Sequence, residues 1–268
     1  MAASAPRGRR PPSLLLVPGV AAVGLLTVPL VALLARVSWS TLGSDLTSSV
    51  ALDALRLSLV CSLAATGLSV VLGLPLAWLL ARTEFRGKSV LRAITVLPLV
   101  LPPVVAGVAL LLAFGRDGLL GRPLFDWFGI QFTFSTAGVV LAETFVAMPF
   151  LIVTVEAALQ TTDIRFEEVA ASLGAGRWAT FRLVTAPMIW SSLIAGAALT
   201  WARALGEFGA TITFAGDIEG RTQTLPLAVY LSLEGSERVA VALSLLLLVI
   251  SFAVLVALRG RWLGALRR

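Results

Sequence analysis

A chain of 268 residues that is 58% hydrophobic and only 13% charged, with mean hydropathy +0.95, carries more apolar surface than a soluble domain of this length buries. Its formal charge of +6 comes from basic residues placed between apolar runs, a pattern that sets membrane topology and argues against a nucleic-acid-binding surface. It has no histidine, and Cys61 is its single cysteine, which excludes histidine-based catalysis, histidine-ligated metal sites and a disulfide framework.

Crossing lipid takes about 20 mostly apolar residues of helix, and helix is the form that leaves no backbone group unpaired there. Stretches 14–35, 54–81, 90–114, 136–159, 188–213 and 239–258 meet that requirement, and none alternates as a barrel strand would. The prediction is an all-α polytopic membrane protein with about six spans and one domain over residues 1–268. The first stretch follows Arg7, Arg9 and Arg10 and exceeds the length of a signal-peptide core, so it reads as a retained helix.

The connection after the second span holds Arg82, Arg86, Lys88 and Arg92. Its Gly87-Lys88-Ser89 resembles the end of a phosphate loop, but that pattern needs glycine where Arg82 stands and a strand before it. No nucleotide site is therefore expected on this chain. The third span contains Pro98, Pro102, Pro103 and Gly107, which predicts a break or kink near its middle; gate lining and plain packing irregularity both remain open. The outer stretch 115–135 carries Phe125, Trp127, Phe128, Phe132 and Phe134 among polar residues, as an interfacial or docking segment would. The fourth span includes Glu143 and Glu156. Without an internal repeat or a relay around them, an ion-coupled secondary transporter is the weaker alternative.

Stretch 160–187 is polar and amphipathic, and is not a span. Asp163 is placed to cap a helix whose apolar side is Phe166, Val169, Ala170 and Leu173; Gly174-Ala175-Gly176 supplies a break. A second short helix then runs through Trp178, Phe181 and Leu183 to Pro187, which opens the fifth span. That span carries small residues (Ser191, Ser192, Ala195, Gly196, Ala197, Ala198) that permit close helix approach. Fifteen residues separate Met188 from Arg203, roughly 22 Å of rise, which puts Arg203 in the outer half of the membrane and Glu207 one turn beyond. Two readings stay open for them: Arg203 offers donors to an oxyanion in the pathway, or the two charges, or Glu143, neutralise each other to hold the bundle.

Orientation follows from the basic residues. With the N-terminus in the cytoplasm, the inner segments collect Arg7, Arg9, Arg10, Arg82, Arg86, Lys88, Arg92, Arg165, Arg177, Arg182, Arg259, Arg261, Arg267 and Arg268. The outer side holds the smaller set of Arg36, Arg56, Arg116, Arg122, Arg221 and Arg238, so both termini are expected inside.

The sequence Glu168-Val169-Ala170, then Gly174, then Val184-Thr185-Ala186-Pro187, resembles the Glu-Ala-Ala loop of permease subunits of bacterial ABC importers. Val169 replaces an alanine of that motif, Val184 an isoleucine and Ala186 a leucine. The resemblance implies a type I importer permease fold in the bacterial inner membrane, with Glu168, Ala170, Gly174, Arg177 and Pro187 in a loop that docks into a cytoplasmic ATPase subunit. The tract Trp201–Tyr230, with Arg203-Ala204-Leu205-Gly206-Glu207-Phe208-Gly209-Ala210-Thr211 and Gly220-Arg221-Thr222-Gln223-Thr224-Leu225-Pro226-Leu227, is similar to the molybdate branch. Sulfate permeases share the Ala-Arg-Ala opening and the Gly-Glu pair. The resemblance implies two permease copies, two ATPase subunits that hold the ATP and magnesium, an extracytoplasmic molybdate-binding protein, and no cofactor on this chain. Arg203, Glu207, Pro102 and Pro103 are the candidate pathway residues.

Overall fold

The computed structural model describes residues 13–265; Arg7, Arg9, Arg10, Arg267 and Arg268 of the orientation argument lie outside the described residues. Helices and their connections account for all of it, with no strand among the described residues.

Helix α1 (Ser13–Ala35) is apolar all round and exposes Val17, Leu25, Leu26 and Val31, the surface expected of a lipid-facing helix. A short α2 (Leu42–Leu46) leads to α3 (Ser49–Arg82), started by the Ser48 hydroxyl accepting the Ala51 N–H. At 34 residues α3 spans about 51 Å, longer than the hydrocarbon core. Its buried face runs Ala54, Ser58, Cys61, Ala65, Ser69, Gly73 and Ala77, small residues at three- and four-residue steps. That stripe lets it lie close against the helix Thr136–Thr161; a Cβ on Gly73 would sit 3.1 Å from Ile152 Cγ1.

The third span is two helices, α4 (Lys88–Val100) and α5 (Pro103–Phe114), bent by 120°. Pro102 and Pro103 have no N–H to continue the ladder of α4, and Leu101 before them takes an extended conformation. The break predicted from the prolines is present and is sharper than a kink. After α5 the outer connection forms α6 (Gly121–Phe128), which leaves Trp127 and Phe128 exposed, while Phe132 packs edge-on against Phe114 at 5.9 Å.

Helix α7 (Thr136–Thr161), started by Ser135 accepting the Gly138 N–H, is the hub of the bundle. It buries residues on most of its circumference, against α3 on one side and α10 on another. Then come α8 (Arg165–Ser172), α9 (Arg177–Thr180), a π turn at Phe181–Thr185 and α10 (Ala186–Leu205). The chain stays helical from Arg177 to Leu205. Pro187 lies in the first turn of α10, as expected, but no break precedes it: the π turn, with the Ala186 N–H reaching back to the Phe181 carbonyl, joins the short helix to the span.

The fifth span ends earlier than the expected 188–213. Helix α10 stops at Leu205, and the chain restarts as α11 (Gly209–Phe214) after an irregular Gly206–Phe208. The irregular backbone keeps its donors paired: the Glu207 N–H bonds the Ala204 carbonyl, and the Ala210 N–H bonds the Glu207 side chain. A connection with left-handed turns at Gly216 and Gly220 leads to α12 (Leu225–Gly235), with Pro226 in its first turn, and then to α13 (Glu237–Ala265). Ion pairs Arg36–Glu237 at 3.2 Å and Arg238–Asp45 at 3.1 Å fasten the start of α13 beside α1 and α2. At the opposite end, Ala77, Leu80, Leu151, Ile152, Val155, Leu159 and Ile189 form a core beneath loop 160–187.

Candidate functional site

Loop 160–187 is built by local rules. Asp163 stands one residue before the N-cap position, which Ile164 occupies. Its Oδ1 still accepts the Arg165 N–H at 3.0 Å, so it acts as a turn former rather than as the cap the sequence predicts. Glu167 and Glu168 fall in the first turn of α8, where the helix dipole favours carboxylates. The helix ends in a Schellman motif: the Gly174 N–H bonds the Ala171 carbonyl and the Ala175 N–H the Ala170 carbonyl, both at 3.0 Å. Gly174 has φ +87° with nothing within 4 Å of where a Cβ would stand, so it is there for its backbone angle and not for want of room.

The apolar side predicted for α8 faces outward. Phe166, Val169 and Leu173 are exposed, Leu173 at 83%, as are Trp178 at 72% and Leu183. A patch of that kind on a polar loop marks an interaction surface. Of the predicted coupling residues, Glu168, Gly174, Arg177 and Pro187 are exposed and Ala170 is half-buried. Glu168 and Arg177 line one cleft of about 590 Å3 together with Trp78, Glu167, Ala171 and Thr180; Ala170, Gly174 and Pro187 are not part of its lining.

Of the four candidate pathway residues, Arg203 and Glu207 meet and Pro103 lies against Gly209 just beyond them. Arg203 Nη2 lies 2.6 Å from Glu207 Oε2, and the Ala210 N–H donates to Glu207 Oε1 at 2.8 Å. Glu207 therefore closes the break by holding the end of α10 to the start of α11. It is 1% exposed, whereas the arginine side chain is 29% exposed. Two residues on, a Cβ on Gly209 would stand 2.4 Å from Pro103 Cβ, and one on Gly107 would stand 2.5 Å from Thr213 Cβ. Those glycines permit the backbone of α11 to lie directly on α5, so the second half of the broken third span packs against the short helix that follows α10. Pro102, at the N-cap of α5, is exposed. Glu143 is buried with its Oε2 unpartnered; the carboxylate paired with Arg203 is Glu207.

Sequence reasoning treats Arg82 and Arg92 as topology-setting charges only. In the structure Arg82 pairs with Glu167 and Arg92 with Glu156, whose Oε1 also accepts from Gln160. The Gly87-Lys88-Ser89 turn follows a helix rather than a strand, and Lys88 pairs with Glu84 at 2.6 Å. No group of histidine, cysteine and carboxylate side chains able to hold a metal occurs among the described residues.

A bundle of long apolar helices, one span broken between α4 and α5, with a capped helical loop presenting apolar side chains at one end, defines a multi-pass membrane permease. The chain belongs to the family of binding-protein-dependent transport system inner membrane components, whose profile matches residues 69–267. It is 46% identical over 244 residues to the molybdenum transport system permease protein ModB of Mycobacterium tuberculosis, covering 91% of this chain and 92% of that one. A probable sulfate transport system permease protein, cysT, of Zygnema circumcarinatum is 35% identical over 86% of this chain and 81% of its own. Among solved structures, a chain of a bacterial ABC transporter that imports the acidic polysaccharide alginate superposes with TM-score 0.72 at 16% identity, covering 92% of this chain and 93% of that one, a likeness of fold.

Proposed function

We propose that this chain forms the translocation pathway for molybdate, with tungstate as a second cargo, in an ABC importer of the bacterial inner membrane. Two copies make the pathway, two cytoplasmic ATPase subunits dock on their loops at 160–187, and an extracytoplasmic binding protein delivers the anion. ATP and magnesium belong to the ATPase; this chain binds no cofactor. Both termini face the cytoplasm, which follows from the distribution of arginines. The observation that carries the reading is the loop: a Schellman-capped α8 with Phe166, Val169 and Leu173 turned outward. Similarity to the mycobacterial molybdenum permease supports the choice of cargo.

The mechanism follows from chain continuity. ATPase closure displaces α8 and α9; α9 runs without interruption into α10, so the displacement enters the fifth span directly. The break at Gly206–Phe208 is where α10 and the paired α5–α11 halves turn against each other. Arg203, beside that break and partly exposed, offers guanidinium donors to a tetrahedral oxyanion while Glu207 holds its other edge. A shallow site of this kind suits a pathway that must release its cargo.

The test is ATP hydrolysis and uptake by the chain reconstituted with its ATPase and binding protein. Hydrolysis stimulated by molybdate-loaded binding protein, with no uptake when ATP is replaced by a proton or sodium gradient, is the expected result. Gradient-driven uptake without ATP would establish the secondary-transporter alternative instead.

A further inference from the structure

The glutamate beside the motif faces a different way from the motif glutamate. Successive residues of a helix stand about 100° apart, and on α8 that separation leaves Glu168 exposed while Glu167 turns to the bundle. Arg82, in the last turn of α3, meets it there: its Nη2 donates to Glu167 Oε1 at 2.9 Å and reaches the Thr162 carbonyl at 3.4 Å. Thr162 is the C-cap of α7, so one guanidinium joins the end of α3, the end of α7 and the first turn of α8. Both side chains are withdrawn from water, Arg82 at 9% exposure and Glu167 at 16%. A pair so placed is little screened by salt and holds its geometry, unlike a surface ion pair.

We propose that Arg82 is a strut that delivers displacement of α8 to α3 and α7, beside the route that α9 opens into the fifth span. This rests on the reading of 160–187 as the ATPase-docking loop. Without the strut, α8 would be linked to α7 only by the connection Thr162–Ile164, whose backbone can swing while the helices stay still. With it, movement of α8 is imposed on α3 and α7 together, the two helices with the largest shared interface in the bundle. Arg92 extends the same body to α4 through Glu156, on the flank of α7 nearest the loop. Arg82 is a positioning residue: it touches neither cargo nor nucleotide.

The experiment uses the assembled transporter, permease with ATPase and binding protein, in proteoliposomes, and reads molybdate uptake and ATP hydrolysis on one preparation. Glu167→Gln removes the charge from a loop helix without disturbing a span. The ATPase is expected to be recruited and to hydrolyse ATP, while uptake per ATP falls about tenfold, within the range of coupling between sites. Arg82→Ala is expected to give the same loss. A wild-type ratio of uptake to hydrolysis in either variant overturns the strut, and a purely structural role would lower assembly while leaving that ratio unchanged. Gly174→Asp separates this from the underlying reading. If it abolishes ATPase recruitment while Glu167→Gln couples normally, the strut alone is wrong; if it recruits the ATPase normally, the docking loop is wrong and the strut falls with it.

Discussion

Replacing Gly174 probes the loop proposed to dock the ATPase at a point where the free chain is indifferent to volume. The residue has φ +87°, and a Cβ there meets nothing within 4 Å. Any effect of a side chain therefore comes from backbone strain or from a partner. Alanine in the left-handed region costs about 1–2 kcal/mol, and roughly 1.4 kcal/mol is tenfold in an equilibrium. Gly174→Ala should weaken ATPase binding about five- to thirtyfold by populating loops without the two Schellman bonds. Asparagine and aspartate tolerate that region, so Gly174→Asn should bind nearly as wild type, isolating the strain. Gly174→Asp should fold as Gly174→Asn does, but it carries a charge into the contact. An unpaired charge buried at an interface costs several kcal/mol, so the ATPase affinity should fall about a hundredfold or more. The assay is titration of the ATPase onto permease held in nanodiscs, with uptake measured in parallel. Wild-type affinity and uptake for Gly174→Asp would refute the argument, since a charged side chain there would then meet only water.

Other expectations test the break. Gly209→Ala places a methyl 2.4 Å from Pro103 Cβ and must push α11 off α5, an overpacking cost of about 1–3 kcal/mol seen as a lower Tm in detergent, with ATPase recruitment retained. Arg203→Ala leaves the buried Glu207 uncompensated, at a cost of about 3–5 kcal/mol, and adding Glu207→Gln should recover most of the stability. Uptake should stay low in that double variant while ATPase recruitment is normal; uptake restored along with stability would assign Arg203 to holding the bundle only. Ser62→Ala removes the acceptor of the Trp201 indole N–H at 2.9 Å and should cost about 1 kcal/mol, read as a small Tm decrease without a change in uptake per ATP.

Much of the fold was legible because its signals are local. Apolar length marked the spans, Pro102-Pro103 marked the break in the third, and Gly174 marked the turn in the loop. What escaped has physical reasons. The break at Gly206–Phe208 lies inside an otherwise apolar run, and its stability comes from Glu207 accepting the Ala210 N–H, a contact with no periodic signature. Helix α12 has only 11 residues, too short for a span, and opens on a Leu-Pro that equally suits a turn. The π turn that joins α9 to α10 leaves no pattern distinct from an α-helix ending at Pro187. The orientation of α8 was half legible: its apolar stripe was evident, but whether that stripe faces bundle or partner depends on Arg82, distant in sequence. The meeting of Pro103 with Gly209 is likewise tertiary: Pro103 alone leaves gate lining and irregular packing open, and Gly209 stands only within the tract similar to the molybdate branch.

The central claim is tested most directly by ATP-dependent uptake into proteoliposomes containing this permease, its ATPase and its binding protein, with molybdate, tungstate and sulfate offered in turn. Uptake of molybdate and tungstate and none of sulfate is the expected result. Uptake of sulfate with exclusion of molybdate would contradict the assigned cargo, and no ATP-dependent uptake of any of the three by an assembled, hydrolysing complex would contradict the assignment of the pathway itself.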